Sequence, residues 1–284
     1  MEVISDPAQI RKTLTKHLAN DQRIGLIPTM GALHDGHLSL VDASKKTCDF
    51  HVVTIFLNPT QFGEGEDLSK YPRTLESDLA LLEQRGANFV FTPTTETMYP
   101  DGYSTFVEPP EIATSLEGER RPGHFKGVCT VVAKLFNLCP ATDAFFGEKD
   151  FQQCAVIEKM CIDINFGIKI HRCPIVREFD GLAMSSRNQY LDGLERERAL
   201  GLSRSLNLAE QLVQEGVSDS AEIEEQMRQS LMDSRVDKID YVAIVDATTL
   251  DPVNEITDNS VALIAAYIGT TRLIDNRRIA EKVG

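Results

Sequence analysis

The strongest constraint in this sequence is the alternation of short apolar runs with amphipathic stretches over its first two-thirds. Arg23–Pro28 (RIGLIP) predicts a strand, followed by a glycine-containing turn and a helix from about Gly36 to Lys46. His51–Leu57 (HVVTIFL) is the next strand. Leu75, Leu79 and Leu82 fall at helical spacing within 74–85, and Asn88–Thr92 (NFVFT) is a third strand. A helix with an apolar stripe is expected over 126–138, a strand over 143–147, a helix over 151–162 and a strand over 168–176. Strands that alternate with helices imply βαβ units, hence an α/β fold with a Rossmann-like, doubly wound, mostly parallel sheet. Such sheets take their ligands at the carboxyl ends of the strands.

The pattern changes after about Arg187. Residues 193–233 are polar, helical and rich in Glu and Gln. Two strand-like runs follow, Ile239–Val245 and Val261–Ile268, with a turn holding Asp251 and Pro252 between them. A short run from Arg272 to Asp275 completes a smaller α+β C-terminal domain. The expected division is residues 1–176 and 177–284.

Charge narrows the functional classes. With 29 Lys and Arg against 43 Asp and Glu, the formal net charge is -14. Phosphate backbones and anionic membranes select basic surfaces, so neither nucleic acid nor a membrane is an expected partner. A local basic pocket for one phosphorylated small molecule is compatible with that average. The six Cys form no CxxC pair and no zinc-like spacing, and read as thiols of a reducing cytosol. MEVISDPAQI has neither a basic nor an apolar leader region, and no apolar run reaches membrane-spanning length. A cytoplasmic protein is expected.

Five segments carry residues suited to chemistry. Pro28–His37 (PTMGALHDGH) follows a strand and opens a helix. There His34 and His37 lie three apart, Gly31 and Gly36 admit close approach of a phosphate, and the helix start offers free N–H groups. Two imidazoles at that point suit charge developing on a phosphate. An HxGH taken alone would equally fit a helix start with two surface histidines. Met184–Ser–Ser–Arg187 supplies two hydroxyls and a guanidinium fork on a loop, or else a polar turn before the next helix. HxGH followed by an MSSR-type loop resembles the paired signature of nucleotidyltransferases, which bind ATP between the two motifs. In Gly147–Gln153 (GEKDFQQ), Lys149 suits phosphate oxygens, Asp150 suits either Mg²⁺ or a helix cap, and Gln153 a substrate. Asn58–Phe62 (NPTQF) sets Asn58 and Gln61 where ligands sit in this fold, or forms an ordinary Asn-Pro turn. Arg120–Lys126 (RRPGHFK) reads as a loop over phosphates or as a solvated surface loop.

In this order, with VREFDGLAMSSRN and the C-terminal DYVAIVDATTL and VALIAAYIGTTRLIDN, the segments closely resemble the pantoate–β-alanine ligase family over nearly the whole chain. The resemblance implies ligation of pantoate to β-alanine, with ATP converted to AMP and pyrophosphate through an enzyme-bound pantoyl adenylate. It implies ATP contacts from Met30, Gly31, Ala32, Leu33, His34, Asp35, Gly36 and His37. Further ATP contacts are implied at Gly147, Glu148, Lys149, Asp150, Val176, Met184, Ser185, Ser186 and Arg187. His37 resembles the catalytic histidine, supported by His34, with Lys149 and Arg187 meeting phosphate charge. Gln61 and Gln153 resemble the pantoate glutamines, joined by Asn58. Mg²⁺ is expected as MgATP, with Asp150 and Asp78 as candidate ligands. A homodimer is implied, and the C-terminal domain is expected to act as a lid. Another HxGH-type adenylyltransferase acting on a different small acid or nucleotide is the rival reading.

Overall fold

The computed structural model describes residues 1–280 and divides into two compact units. The first unit comprises residues 1–148 and 152–174. Its elements are β1 (Glu2–Ile4), α1 (Pro7–Leu18), β2 (Ile24–Thr29), α2 (Asp35–Lys45), β3 (Phe50–Ile55), α3 (Leu75–Arg85) and β4 (Phe89–Phe91). The short helices α4 (Thr95–Met98) and α5 (Glu117–Arg120) follow, then α6 (His124–Leu138), β5 (Asp143–Gly147), α7 (Phe151–Asp163) and β6 (Lys169–Cys173).

The six strands form one sheet in the order β1-β4-β3-β2-β5-β6, and every pairing is parallel. Parallel strands are buried on both faces, which explains their nearly continuous apolar runs. Alternate residues supply separate cores. Ile24, Leu26, Val52, Phe89, Phe91, Ala144 and Phe146 pack with residues of α1, α6 and α7. Their neighbours Ile27, Val53, Val90 and Phe145 pack with Leu38, Val41 and Leu82 of α2 and α3. The sheet is therefore doubly wound, as the alternating pattern predicts. Chain order reverses direction between β2 and β5, which makes their carboxyl ends the switch point where such folds open a crevice.

The second unit takes residues 149–151 and 175–280 of the described residues. It contains α8 (Gly193–Gln214), α9 (Ser220–Asp233) and an antiparallel sheet of β7 (Lys238–Asp246), β8 (Ser260–Ile268) and β9 (Thr271–Arg278). Leu202, Leu206, Ile223 and Met227 of the helices pack with Val242, Ile244, Ala262 and Ile264 of the sheet. Asp192 and Asp219 cap the two helices by accepting backbone N–H groups.

Boundaries differ from the sequence reading where neighbours override the local pattern. β6 stops at Cys173 because Pro174 brings no N–H to the ladder. β9 is longer than the expected 272–275. Its charged residues find partners across the unit, Arg272 with Asp240 and Asp275 with Arg177, so charge does not end the strand. The N-terminal β1 and α1 gave little signal: β1 has three residues, and α1 buries only Ile10 and Leu14.

Candidate active site

The segments after β2, β3 and β5 leave three neighbouring strands at the same edge of the sheet, because all three run parallel. The first begins where β2 ends. Gly31 has φ 86° and Ala32 has φ 50°, so the chain makes two left-handed steps before entering α2. Glycine takes such a φ readily and alanine resists it. His34 is the extended N-cap residue of α2, and His37 occupies the third helical position. Their rings meet at a centroid separation of 4.1 Å, tilted by 33°. The backbone N–H of His34 donates to His37 Nδ1 at 3.4 Å, which leaves Nε2 as the donor of the neutral His37 ring.

The N–H groups of Ala32 and Leu33 are taken up inside the protein. They donate to Oδ2 and Oδ1 of Asp78, at 3.0 and 2.9 Å. Asp78 lies on α3, is only 2 % exposed, and also accepts from Thr74 Oγ1 at 3.1 Å.

The loop after β3 holds the glutamine expected to meet the small acid. Asn58 is 1 % exposed and its amide is fully used inside the protein. Its Oδ1 accepts from Tyr99 O–H at 2.7 Å, Thr60 Oγ1 at 2.9 Å and Thr60 N–H at 3.4 Å. Its Nδ2 donates to Gln61 Oε1 at 3.0 Å and to the Gly127 carbonyl at 3.3 Å. Asn58 therefore spends its amide inside the protein, where it orients Gln61. Two backbone groups settle the direction, since a carbonyl only accepts and an N–H only donates. Gln61 Oε1 is thus taken, and its Nε2 is the donor, 3.2 Å from Met30 Sδ. That contact joins the loops after β2 and β3 in one place.

In the RRPGHFK segment, Arg121, His124 and Lys126 all pair within the protein. Arg121 pairs with Glu66 through Nε at 2.7 Å and Nη2 at 2.8 Å. His124 is buried, 3.1 Å from Arg121 Nη1 through Nε2 and 2.8 Å from the Gln61 carbonyl through Nδ1. The guanidinium can only donate and the carbonyl only accept, so the ring is neutral with its proton on Nδ1. Burial first, and the Arg121 charge second, lower the His124 pKa to about 4. Lys126 pairs with Glu108 at 2.9 Å. At Gly127 a β-carbon would lie 2.3 Å from the Thr60 carbonyl oxygen, so only glycine lets α6 press against the Gln61 loop.

Beyond β5, the two adjacent glutamines separate in role. Gln152 is 4 % exposed, accepts from Glu117 N–H and donates to the carbonyls of Ile112 and Ser115. Gln153, the expected substrate contact, is partly exposed one position along α7. Gly147, Glu148, Lys149 and Asp150 are all partly exposed. Among the described residues, no group of three or more His, Cys, Asp or Glu is arranged to hold a metal ion.

In the second unit, Val176 and Met184 belong to a tight turn that brackets Glu178–Gly181. Met184 N–H donates to the Val176 carbonyl at 2.9 Å, and Arg177 bridges to Ala183. Arg177 clamps Asp275 of β9 through two bonds of 2.8 and 2.9 Å. Arg196 of α8 holds Glu178 and Asp180. Ser185 Oγ caps the turn Ser186–Tyr190 by accepting from Arg187 N–H. The Lys149 carbonyl accepts from Asn276 Nδ2 at 2.9 Å. The MSSR segment is therefore braced on regular elements rather than on loose loop.

Sequence reasoning missed Asp78 as a partner of the histidine loop, Tyr99 behind Asn58, and the Arg121–Glu66 support. NPTQ and RPGHFK were visible as segments, but nothing local marks which of their polar groups turn inward.

A family model described as pantoate-beta-alanine ligase matches residues 2–278. Pantothenate synthetase of Sulfurihydrogenibium sp. is 49% identical over 97% of this chain and 99% of its own length. The Rhodopirellula baltica pantothenate synthetase is 51% identical over 98% and 99%. The crystal structure of the Thermus thermophilus pantothenate synthetase superposes with a TM-score of 0.94 at 40% identity, covering 98% of this chain and 99% of that one. The Francisella tularensis pantoate-beta-alanine ligase, solved in complex with beta-gamma ATP and beta-alanine, gives 0.83 at 34% identity, with 98% of both chains covered.

Proposed function

The chain belongs to the pantoate–β-alanine ligase family, and from that premise we propose how its residues divide the chemistry of joining pantoate to β-alanine with cleavage of ATP. A carboxylate lacks a good leaving group, and adenylation supplies one. A carboxylate oxygen of pantoate forms a bond to the α-phosphorus of ATP as the bond to the bridging oxygen breaks and pyrophosphate leaves. The amine of β-alanine then attacks the acyl carbon, AMP departs with the electron pair of the C–O bond, and the amine loses a proton as the amide forms. No protein nucleophile takes part.

His37 Nε2–H meets charge on the phosphate in transit, and His34 supports its ring. Lys149, Ser186 and Arg187 contribute further donors and positive charge to the phosphates. ATP contacts come from the Met30–His37 loop, from Gly147–Asp150, and from Val176 and Met184–Arg187. Mg²⁺ enters as part of the MgATP substrate. Gln61, as a donor, and Gln153 hold the oxygens of pantoate.

The observation that carries this reading is the 3.2 Å contact of the Gln61 amide with Met30. It sets a neutral donor suited to a small hydroxy acid against the first residue of the histidine loop.

The acyl adenylate hydrolyses in water, so a closed site is required while it exists. We assign that closure to the C-terminal residues 177–284 acting as a lid. Equal small-angle scattering profiles with and without MgATP and pantoate would argue against it. A cytoplasmic homodimer accords with the resemblance, and light scattering tests the dimer. Pantoate-dependent exchange of radiolabelled pyrophosphate into ATP, followed by pantothenate formation on adding β-alanine, tests the function. Exchange that ignores pantoate would refute it.

A further inference from the structure

We propose that Asp78 is a positioning residue for the adenylylation step: its buried carboxylate is a built-in anion that holds the N–H groups of Ala32 and Leu33, keeps Gly31 and Ala32 in a left-handed nest, and so sets His34 and His37 in place. The inference rests on the reading of 28–37 as the nucleotide loop. Two successive residues carry positive φ, and the second is alanine, whose β-carbon disfavours that region. Something must hold it there. Consecutive N–H groups that converge in such a turn form an anion-binding concavity. Here the concavity is filled from within: Ala32 N–H and Leu33 N–H end on the two oxygens of one carboxylate, at 3.0 and 2.9 Å. Hydrogen bonds to an ionised acceptor are stronger than neutral ones.

The surroundings fit the role. Asp78 is buried although Glu76 and Ser77, its neighbours on α3, are exposed. Thr74 Oγ1 donates to the same carboxylate at 3.1 Å. A β-carbon at position 31 would sit 3.2 Å from Asp78 Oδ2, so glycine there leaves room for the anion. Two residues after the nest the chain reaches His34, and the His37 ring leans on the His34 N–H. An error of one turn at Ala32 is therefore carried directly to both imidazoles.

The test is pyrophosphate exchange on the full chain. Asp78→Asn keeps the shape but sets an NH₂ against one of the two loop N–H donors. Exchange is expected to fall about 100-fold, the scale of a misplaced catalytic group, with the KM for pantoate and the Mg²⁺ requirement unchanged. Adding Ala32→Gly to Asp78→Asn is expected to recover about fivefold, since glycine adopts the left-handed turn without the anchor. Thr74→Val, at an exposed position, keeps the carboxylate and removes one donor to it, and is expected to slow exchange about threefold, the scale of one hydrogen bond. Near-wild-type exchange in Asp78→Asn overturns the proposal. So does recovery at high Mg²⁺, which would make Asp78 a metal ligand, or a pantoate KM that rises in step, which would make it a general core residue. If Asp78→Asn does not fold by circular dichroism, Thr74→Val decides, and a wild-type rate there overturns the proposal. A wild-type chain without pantoate-dependent exchange would refute the loop reading instead. The anchor is then judged by whether Ala32→Gly raises the melting temperature in the Asp78→Asn background.

Discussion

His124 makes a sharp prediction about stability and pH. The ring is buried, takes a hydrogen bond from Arg121 and gives one to the Gln61 carbonyl. Burial and the Arg121 charge hold its pKa near 4, and the other charges facing it are Glu117 and Glu66. Histidine in the unfolded chain titrates near 6.5. Between those values the unfolded state binds a proton that the folded state refuses, so stability falls as the pH drops through 6.5 and the loss levels off below about 4. At 1.36 kcal/mol per pKa unit the full loss is about 3 kcal/mol, of which about 1.4 kcal/mol is present at pH 5.5 and about 2 kcal/mol at pH 5.

His124→Gln keeps a donor for the Gln61 carbonyl and an acceptor for Arg121 but cannot be protonated. Urea unfolding of both proteins from pH 8 to pH 5 gives the difference directly, and the other histidines and the carboxylates cancel in it. The wild type is expected to lose about 2 kcal/mol relative to the variant by pH 5. Parallel curves would refute the neutral, buried ring. A wild type that gains on acidification would mean that an imidazolium is paired with Glu66 or Glu117, the opposite of the arrangement described.

Three further outcomes test the site. His37→Ala is expected to slow pantoate-dependent pyrophosphate exchange by about two or more orders of magnitude, measured with radiolabelled pyrophosphate; near-wild-type exchange rejects the role. Tyr99→Phe removes the donor behind Asn58 and is expected to raise the pantoate KM about fivefold, roughly 1 kcal/mol, while the ATP KM stays put; steady-state kinetics with each substrate varied decides. Gly127→Ala forces α6 away from the Thr60 carbonyl and is expected to cost about 1–3 kcal/mol in thermal unfolding and to weaken pantoate binding by calorimetry.

The family itself was legible early, because PTMGALHDGH, NPTQF, GEKDFQQ and the MSSR loop are contiguous strings whose order survives without coordinates. For the first three the edge of the sheet was legible too, since each follows a strand that the apolar runs reveal. What the local pattern did not show was which polar residues serve ligand and which serve the protein. Asn58 stood beside Gln61 in one string, and its amide is saturated inside the protein. Arg121 and His124 lay in a loop that read as a phosphate cover or a solvated surface, and their side chains support the carbonyl of Gln61.

The sequence by itself determined the alternating strands and helices from β2 onward, because their periods are written within ten or fifteen residues, and it pointed to the proposed chemistry, because His37, Gln61, Lys149 and Arg187 sit in recognisable strings. Only the tertiary structure decided the support for that chemistry. The bonds concerned span 46 residues from Ala32 to Asp78, 63 from Gln61 to His124 and 69 from Asn58 to Gly127. A buried polar group must find a partner, but the chain does not state which one until packing brings distant segments within about 3 Å of each other.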